Sequence, residues 1–437
     1  MNENNFSPQS VDLKGLKPLK SFLSFSPPFV DRLELDELKE ALFSGWLTSG
    51  PRAQRFEKEI ASHLGIDDAL ALSSCTAALH LGLKVLGLSD GQAVVTTPLT
   101  FVSTAHAAVY NQSRPFLCDV SADTGNLDPE SVAKFLEKDC RRDSDGRLRH
   151  KQTSLIISSL LPVHYAGHSV DLKALWELAV RYRLTMLEDA AHAIGSTLDG
   201  LPIGNYGHRP QAAQDLASLA AFSFYATKNI TTSEGGLLTS TDPALLERAR
   251  RLSAYGFSDA RRIWGRYAPK GTWLYDVEEL GYKCNFTDLQ AALGLAQLSK
   301  LPHFQDLRTK RADIWTKALE PLSDLVELPV TRAGVGHSWH LYPLRLKTEA
   351  LNIDRDTFFE ALKALNIGTS VMFIPIHYHS YYQTALGYKY GDFPIAEDFF
   401  RRVVSLPIAP AHNEDDIETA AELTAKLLKL YAKKRGS

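Results

Sequence analysis

The stretch from Ala69 to Pro98, ALALSSCTAALHLGLKVLGLSDGQAVVTTP, decides the fold. It opens on a short apolar run, passes through TAALHLGLKVLGL, which reads as a helix, and closes on the β-branched run AVVTTP from Ala93 to Pro98. Two strands joined by a helix of this length run parallel, with a right-handed crossover. The same wiring continues through the helical TFVSTAHAAVYN, the strand RPFLCDV, the apolar run TSLIISSLLPV, the helix DLKALWELAVRYR and the strand LTMLED ending at Asp189. The expectation is an α/β domain whose mainly parallel sheet is covered by helices on both faces. Ligands of such sheets bind beyond the carboxyl ends of the strands.

Two more strand candidates follow, LAAFSFYAT and GGLLTSTD, and then a polar, aromatic stretch from Gly256 to Lys283 without a clear period, which reads as a long loop. A helical run from Asp288 to about Ala318 comes next, then the strand SWHLYPLRL, the helix DTFFEALKALNIG, the strand VMFIPIHY and two terminal helices. This succession predicts a smaller C-terminal α+β domain. The boundaries drawn from it are a surface segment over 1–30, a large domain over 31–285 that includes the loop 256–283, and the small domain over 286–437. Leu136 to Gln152 reads as a charged insertion.

With 437 residues the chain is long enough for two or three units of roughly 150 residues each. Its 44% hydrophobic and 23% charged residues suit a core that closes around a cofactor, and exclude disorder over most of the chain. Lys and Arg number 48 against 51 Asp and Glu, so the net charge of -3 gives no pull toward nucleic acid or an anionic membrane. The four cysteines, Cys75, Cys118, Cys140 and Cys284, form no C-x-x-C pair, and no metal site or disulfide framework is signalled. No run of about 18 apolar residues and no secretory leader pattern is present, which places the protein in the cytoplasm.

The chemistry concentrates in AFSFYATKNITTSEGG, Ala221 to Gly236, where an apolar strand leads to Ser223, then Thr227 and Lys228, and then a glycine pair. A lysine at the mouth of a parallel sheet forms a Schiff base with an aldehyde once burial destabilises its ammonium. Taken alone, Lys228 reads as a solvated loop lysine, and its context must overturn that reading. LTMLEDAAHAIGS places Asp189 at another strand end, followed by His192. If the cofactor is pyridoxal phosphate, an aspartate there keeps the ring nitrogen protonated, and Asp189 suits that role better than Glu188, whose side chain points to the other face. Asp189 also reads as a helix N-cap. SSCTAALH, Ser73 to His80, is a hydroxyl-rich turn opening a helix, where free N–H groups receive a phosphate or where Ser74 or Thr76 simply caps. Ser223 adds a hydroxyl from the neighbouring strand, and Phe101 can stack on a flat heterocycle or fill the core. No G-x-G-x-x-G follows the first strand, which argues against a dinucleotide.

These segments, with SGWLTSGP, PLTFVSTAHA, PVHYAGHSVDL, GYKCNFTDLQAALGLAQLSKL and SLPIAPAHNEDDIE, resemble the DegT-like nucleotide-sugar aminotransferases of fold type I, the aspartate-aminotransferase-like group. The resemblance implies pyridoxal 5'-phosphate as cofactor, with Lys228 as the Schiff-base lysine, Asp189 at the pyridine nitrogen and His192 near the ring hydroxyl. It further implies that Cys75, Thr76 and Ser223 bind the phosphate, that Phe101 covers the ring, and that Asn285 reaches the phosphate of the neighbouring subunit in a homodimer. The loop 256–283 becomes a lid over the partner's substrate, and Thr48, His164, His377 and Tyr378 become substrate contacts. The implied reaction moves an amino group from an amino acid such as L-glutamate to a nucleotide-linked keto sugar, with a 4-keto sugar favoured. A cyclitol or other ketone as acceptor, and a catalytically silent sugar-binding regulator, are the alternatives.

Overall fold

The computed structural model describes residues 12–257 and 276–433. Its first eleven strands are β1 (Leu70–Leu72), β2 (Gln92–Thr96), β3 (Arg114–Leu117), β4 (Cys140–Arg142), β5 (Leu148–His150), β6 (Ile156–Leu160), β7 (Thr185–Asp189), β8 (Thr197–Leu198), β9 (Leu201–Pro202), β10 (Ser218–Ser223) and β11 (Gly236–Ser240). The central sheet runs β1-β11-β10-β7-β6-β2-β3. From β10 to β3 every neighbour is parallel, each strand being reached through a crossover, and β7 and β10 are buried at all but one of their residues. β11 departs from the pattern: it lies antiparallel to both β10 and β1. The chain between β10 and β11 holds no helix to carry it back across the sheet, so it folds over the Lys228 turn and returns alongside β10. The insertion at Leu136 to Gln152 is the β4–β5 hairpin, joined to β6 through Arg149 opposite Ile156. Its Cys140, Leu148 and His150 are buried, so only one face of this charged segment meets water.

The first eight helices in chain order among the described residues are α1 (Arg32–Ser44), α2 (Pro51–Leu64), α3 (Cys75–Val85), α4 (Val102–Tyr110), α5 (Pro129–Lys138), α6 (Leu172–Tyr182), α7 (Pro243–Leu252) and α8 (Asp288–Leu319), and four more follow, Arg355–Ala364, Ser380–Leu386, Pro394–Arg402 and Glu414–Tyr431. α1 starts at a capping box, in which Asp31 accepts from Leu33 N–H and Glu34 accepts from Asp31 N–H, and it stops at Gly45 in the left-handed region, φ 77°. α3, α4 and α7 cover one face of the sheet, where Ala78, Leu79, Leu81, Ala107, Ala108 and Leu252 meet Leu187 and Leu219. α2, α5, α6 and the first half of α8 cover the other, around Phe56, Trp176, Phe222 and Phe304.

α8 corrects the boundary placed at residue 286. Its first half, through Phe304, belongs to the large core, while Ala312, Trp315 and Leu319 belong to a second core built on β12 (Val326–Glu327), β14 (Tyr342–Leu346) and β15 (Val403–Leu406). One continuous helix serves both units, so no linker marks the division. The remaining strand, β13 (Val335–Gly336), pairs with β8. Two further expectations change. VMFIPIHY forms no strand, because Ile376–Tyr378 turns as a 3-10 helix whose first N–H donates to the Pro98 carbonyl at 2.8 Å. The segment before Asp31 is not merely superficial, since Leu19 and Leu23 are buried in the second core and Leu23 bridges Ile367. Of the loop 256–283, residues 258–275 lie outside the described residues; its ends meet where Phe257 bridges Val277 and Glu278 N–H donates to the Gly256 carbonyl at 2.9 Å. Among the described residues no helix is long and apolar enough to cross a membrane.

Candidate active site

The parallel strands deliver their carboxyl ends to one crevice. β7 ends at Asp189, which is 3% exposed. Thr104 of α4 donates its hydroxyl to Asp189 Oδ2 at 2.7 Å, and Ala191 N–H donates to Oδ1 at 3.1 Å. Burial still pushes this carboxyl above the ordinary aspartate range, against those two donors and the nearby Lys228 ammonium. Strand alternation sends Glu188 to the opposite face, where its Oε2 lies 3.0 Å from His164 Nε2.

β10 ends at Ser223, and the chain turns so that Lys228 N–H donates to the Tyr225 carbonyl at 2.9 Å. Lys228 is half-buried, and burial pulls its ammonium down to about 8 although Cys75 and Asp189 act in the other direction. A lysine with that value keeps a usable fraction of free amine near neutral pH. Burial also holds the Cys75 thiol well above its usual range, with Asp189 adding to the effect, so it stands as a neutral wall.

Gly236 brings the third segment in. It pairs with Ser223 across β10 and β11, and a Cβ on it would stand 2.3 Å from Ser74 C and 2.4 Å from Cys75 N. Only glycine lets β11 press against the turn that opens α3. Ser74 caps α3 by accepting from Ala77 N–H at 3.1 Å, which leaves the N–H groups of Cys75 and Thr76 at the positive end of the helix. The N-terminus of α3, with Thr76 in its first turn, and Ser223 at the end of β10 are thereby brought to the same strand ends as Lys228, and free helix N–H groups are a donor set suited to an anion.

His192 is 5% exposed and neutral, since burial first and Lys228 second push it well below the usual histidine value. Its Nδ1 accepts from Ala166 N–H at 3.2 Å, so its proton sits on Nε2. The ring lies between His340, at 4.2 Å between centroids, and Phe373, at 5.6 Å. Phe101 sits at the N-cap of α4 and is 58% exposed, which removes the core role and leaves its ring open beside Phe373.

Other candidates lie elsewhere. His164 is fully buried, with Nε2 on Glu188 and Nδ1 accepting from Val170 N–H at 3.2 Å, so no ring atom is left for a substrate. His377 is fully buried with Nε2 2.9 Å from Glu397, and the Tyr378 hydroxyl donates to the same carboxylate at 3.0 Å. Both are tied into a structural cluster rather than offered to the crevice. Asn285 pairs with Leu72 at the end of β1, just ahead of the α3 turn, and meets exposed Thr48 while donating to Ser49 Oγ at 2.8 Å.

Two features escaped the sequence reading. Thr104 is one: Thr100, in the bend before α4, and Thr104, in its first turn, have hydroxyls 2.7 Å apart in a chain that ends on Asp189. His340 is distant in sequence from His192; Asn229, the neighbour of Lys228, holds it by Oδ1 against Nδ1 at 3.1 Å while donating to the Ser338 carbonyl at 2.8 Å.

A model of the DegT/DnrJ/EryC1/StrS aminotransferase family matches residues 28–424. The chain belongs to this family. It is 39% identical over 409 residues to the spore coat polysaccharide biosynthesis protein SpsC of Bacillus subtilis, covering 93% of this chain and 97% of that protein. It is 33% identical over 414 residues to a UDP-4-amino-4-deoxy-L-arabinose--oxoglutarate aminotransferase of Shewanella sediminis, covering 93% and 98%. The solved PLP form of the putative sugar aminotransferase Spr1654 of Streptococcus pneumoniae superposes with a TM-score of 0.79 at 25% identity, over 94% of this chain and 99% of that one. As a DegT-family aminotransferase the protein has the fold type I architecture, and aminotransferases of this family depend on pyridoxal phosphate.

Proposed function

We propose that the protein transfers an amino group from L-glutamate to the keto carbon of a nucleotide-linked sugar, with a 4-keto sugar as acceptor, in amino-sugar biosynthesis. The observation that carries this reading is Lys228, half-buried and held to about 8 at the strand ends beside Asp189 and the α3 cradle. In this reading the N–H groups of Cys75 and Thr76 and the hydroxyls of Thr76 and Ser223 would hold the phosphate of pyridoxal phosphate, Asp189 would pair with the ring nitrogen, His192 would offer Nε2–H to the ring hydroxyl, and Phe101 would cover the face. When bound, the group supplies a conjugated ring that takes up the electron pair released at the substrate carbon.

The chain's own residues do the rest. Lys228 anchors the cofactor, and its free amine takes the proton from the carbon of the donor and later returns a proton at the carbon of the acceptor. Asp189, kept charged by Thr104 and Ala191 N–H, holds a proton on the nitrogen opposite. Neutral His192 donates without adding positive charge beside Lys228. The sugar-nucleotide acceptor is supported by the Shewanella relative, which is named for a UDP-linked 4-amino sugar and for oxoglutarate, the keto acid of glutamate. A homodimer, in which Asn285 would reach the partner's phosphate, is supported by exposed aromatic residues beside the site, Phe101 at 58% next to Phe373 and Tyr225 at 47% next to Lys228.

The test is to charge the protein with glutamate and to screen nucleotide-linked 3-keto and 4-keto sugars for loss of the pyridoxamine form. Turnover with a 4-keto sugar, abolished in Lys228→Ala, is the expected result. Full turnover by the alanine variant, or borohydride fixing a pyridoxyl label on another residue, refutes the assignment.

A further inference from the structure

A strap far from Lys228 in sequence holds the peptide group on which that lysine is mounted. The first half of the strap is part of the C-terminal unit: Leu19 and Leu23 N–H donate to the Leu365 and Asn366 carbonyls at 3.0 and 2.8 Å, and Gly368 N–H donates to the Leu23 carbonyl at 2.8 Å. Its second half belongs to the large unit. The Phe29 ring lies 5.4 Å from Phe304, Gln297 Nε2 donates to the Phe29 carbonyl at 2.7 Å, and Lys300 Nζ binds Asp31 at 2.7 Å and Glu34 at 2.8 Å. Pro27 and Pro28 stiffen the crossing between the two. At the middle, Ser26 donates its hydroxyl to the Thr227 carbonyl at 3.1 Å.

That carbonyl and the Lys228 nitrogen belong to one peptide plane. Its N–H is held locally by the Tyr225 carbonyl at 2.9 Å, and its C=O is held by Ser26. Turning the plane swings the bond from which the lysine side chain leaves the backbone, so the two hydrogen bonds together set where Nζ points. We propose that Ser26 is a positioning residue for Lys228, and that through the strap the C-terminal unit sets the orientation of the lysine. This rests on the reading of Lys228 as the cofactor-bearing residue.

Gly368 gives an independent handle at the other end. A Cβ there would stand 2.6 Å from the Leu23 carbonyl oxygen and 2.9 Å from Phe25 N, so Gly368→Ala lifts the strap without touching Ser26 or Lys228.

The experiment titrates the visible absorption of the holoprotein with pH for the wild type, Ser26→Ala, Ser26→Thr and Gly368→Ala, with kcat and KM measured alongside. Loss of one neutral hydrogen bond is expected to move the apparent pKa of the band by about half a unit or more, and to lower kcat about fivefold with little change in KM for the donor. Ser26→Thr, which keeps the hydroxyl, should restore both, and Gly368→Ala should shift the band in the same direction as Ser26→Ala. A wild-type titration and kcat in Ser26→Ala overturns the proposal, as does a Gly368→Ala band that stays at the wild-type position. A wild-type holoprotein with no lysine-linked band overturns the reading of Lys228 as well, which separates the two failures.

Discussion

Thr104→Val should cripple turnover while leaving the fold standing. Valine matches threonine in shape but removes the hydroxyl that donates to Asp189 Oδ2 at 2.7 Å; Ala191 N–H at 3.1 Å is the donor that stays. A hydrogen bond to a charged acceptor contributes about 1.5–3 kcal/mol, so its loss raises the Asp189 pKa further. Burial already holds that carboxyl above the ordinary range, so the added shift carries its titration toward the range where the enzyme works. A neutral acid cannot keep a proton on the nitrogen facing it. The expected outcome is a fall of about 10- to 100-fold in kcat at neutral pH, partly recovered as the pH rises and the carboxyl ionises again, with Thr104→Ser close to wild type. The stability effect has a definite sign. A carboxyl whose folded pKa lies above its unfolded value costs stability once the pH exceeds the unfolded value, and the cost disappears below it. The melting temperature of the variant should therefore drop more near neutral pH than in acid. The assay is kcat against pH at saturating cofactor, together with thermal melts of the cofactor-free protein. A variant with the wild-type kcat and the same acidic limb refutes the role given to Asp189 and its hydroxyl chain.

Lys228→Met should abolish turnover and yet stabilise the cofactor-free protein. The lysine titrates at about 8 in the fold against 10.5 when free, so its burial cost is complete below pH 8 and is recovered between 8 and 10.5. Discounted for partial exposure, the gain at neutral pH is about 2 kcal/mol in a denaturant melt and vanishes in strong alkali; no gain would show that the ammonium is not destabilised. Gly236→Ala should weaken pyridoxal phosphate binding by at least about tenfold, because its Cβ meets backbone atoms at 2.3 and 2.4 Å rather than a side chain that can swing away. An absorbance titration giving the wild-type Kd would show that the α3 turn is not the phosphate cradle. His164→Ala should cost about 3–5 kcal/mol by stranding the Glu188 carboxylate, with KM for the sugar unchanged at temperatures where the variant is folded. A raised KM at undiminished stability would return His164 to the substrate.

What could be read in advance follows from how local each signal is. Asp189 and Ser223 close strands, Lys228 lies in the turn just after β10 and Cys75 opens α3, and in a parallel sheet those places converge on one edge, so short-range pattern was enough to gather them. Their neighbours come from elsewhere in the chain. His340 reaches His192 through the packing of the C-terminal unit, and Ser26 reaches Thr227 across a hydrogen bond spanning 201 positions. No spacing rule connects residues so far apart. The direction of β11 was hidden for a related reason: GGLLTSTD has the same apolar content whichever way it runs, and only the absence of a helix between β10 and β11 decides it.

The pairing of His164 and of His377 with a buried carboxylate has a common physical origin. A histidine in a segment that nears a crevice has two fates, and a single buried carboxylate selects between them. His164 follows the β6 end that lines the site, but strand alternation points Glu188 away from Asp189 into the opposite layer, and a buried carboxylate demands a partner. His164 meets that demand, as His377 meets that of Glu397. His192 escapes because the carboxylate nearest to it in sequence, Asp189, already has Thr104 and Ala191 N–H, and because Ala166 N–H, rather than a carboxylate, fixes its Nδ1. Which histidine stays free for chemistry is thus decided by which buried acid is satisfied elsewhere, and Thr104, by satisfying Asp189, bears on the state of His192 as well as on that of the aspartate.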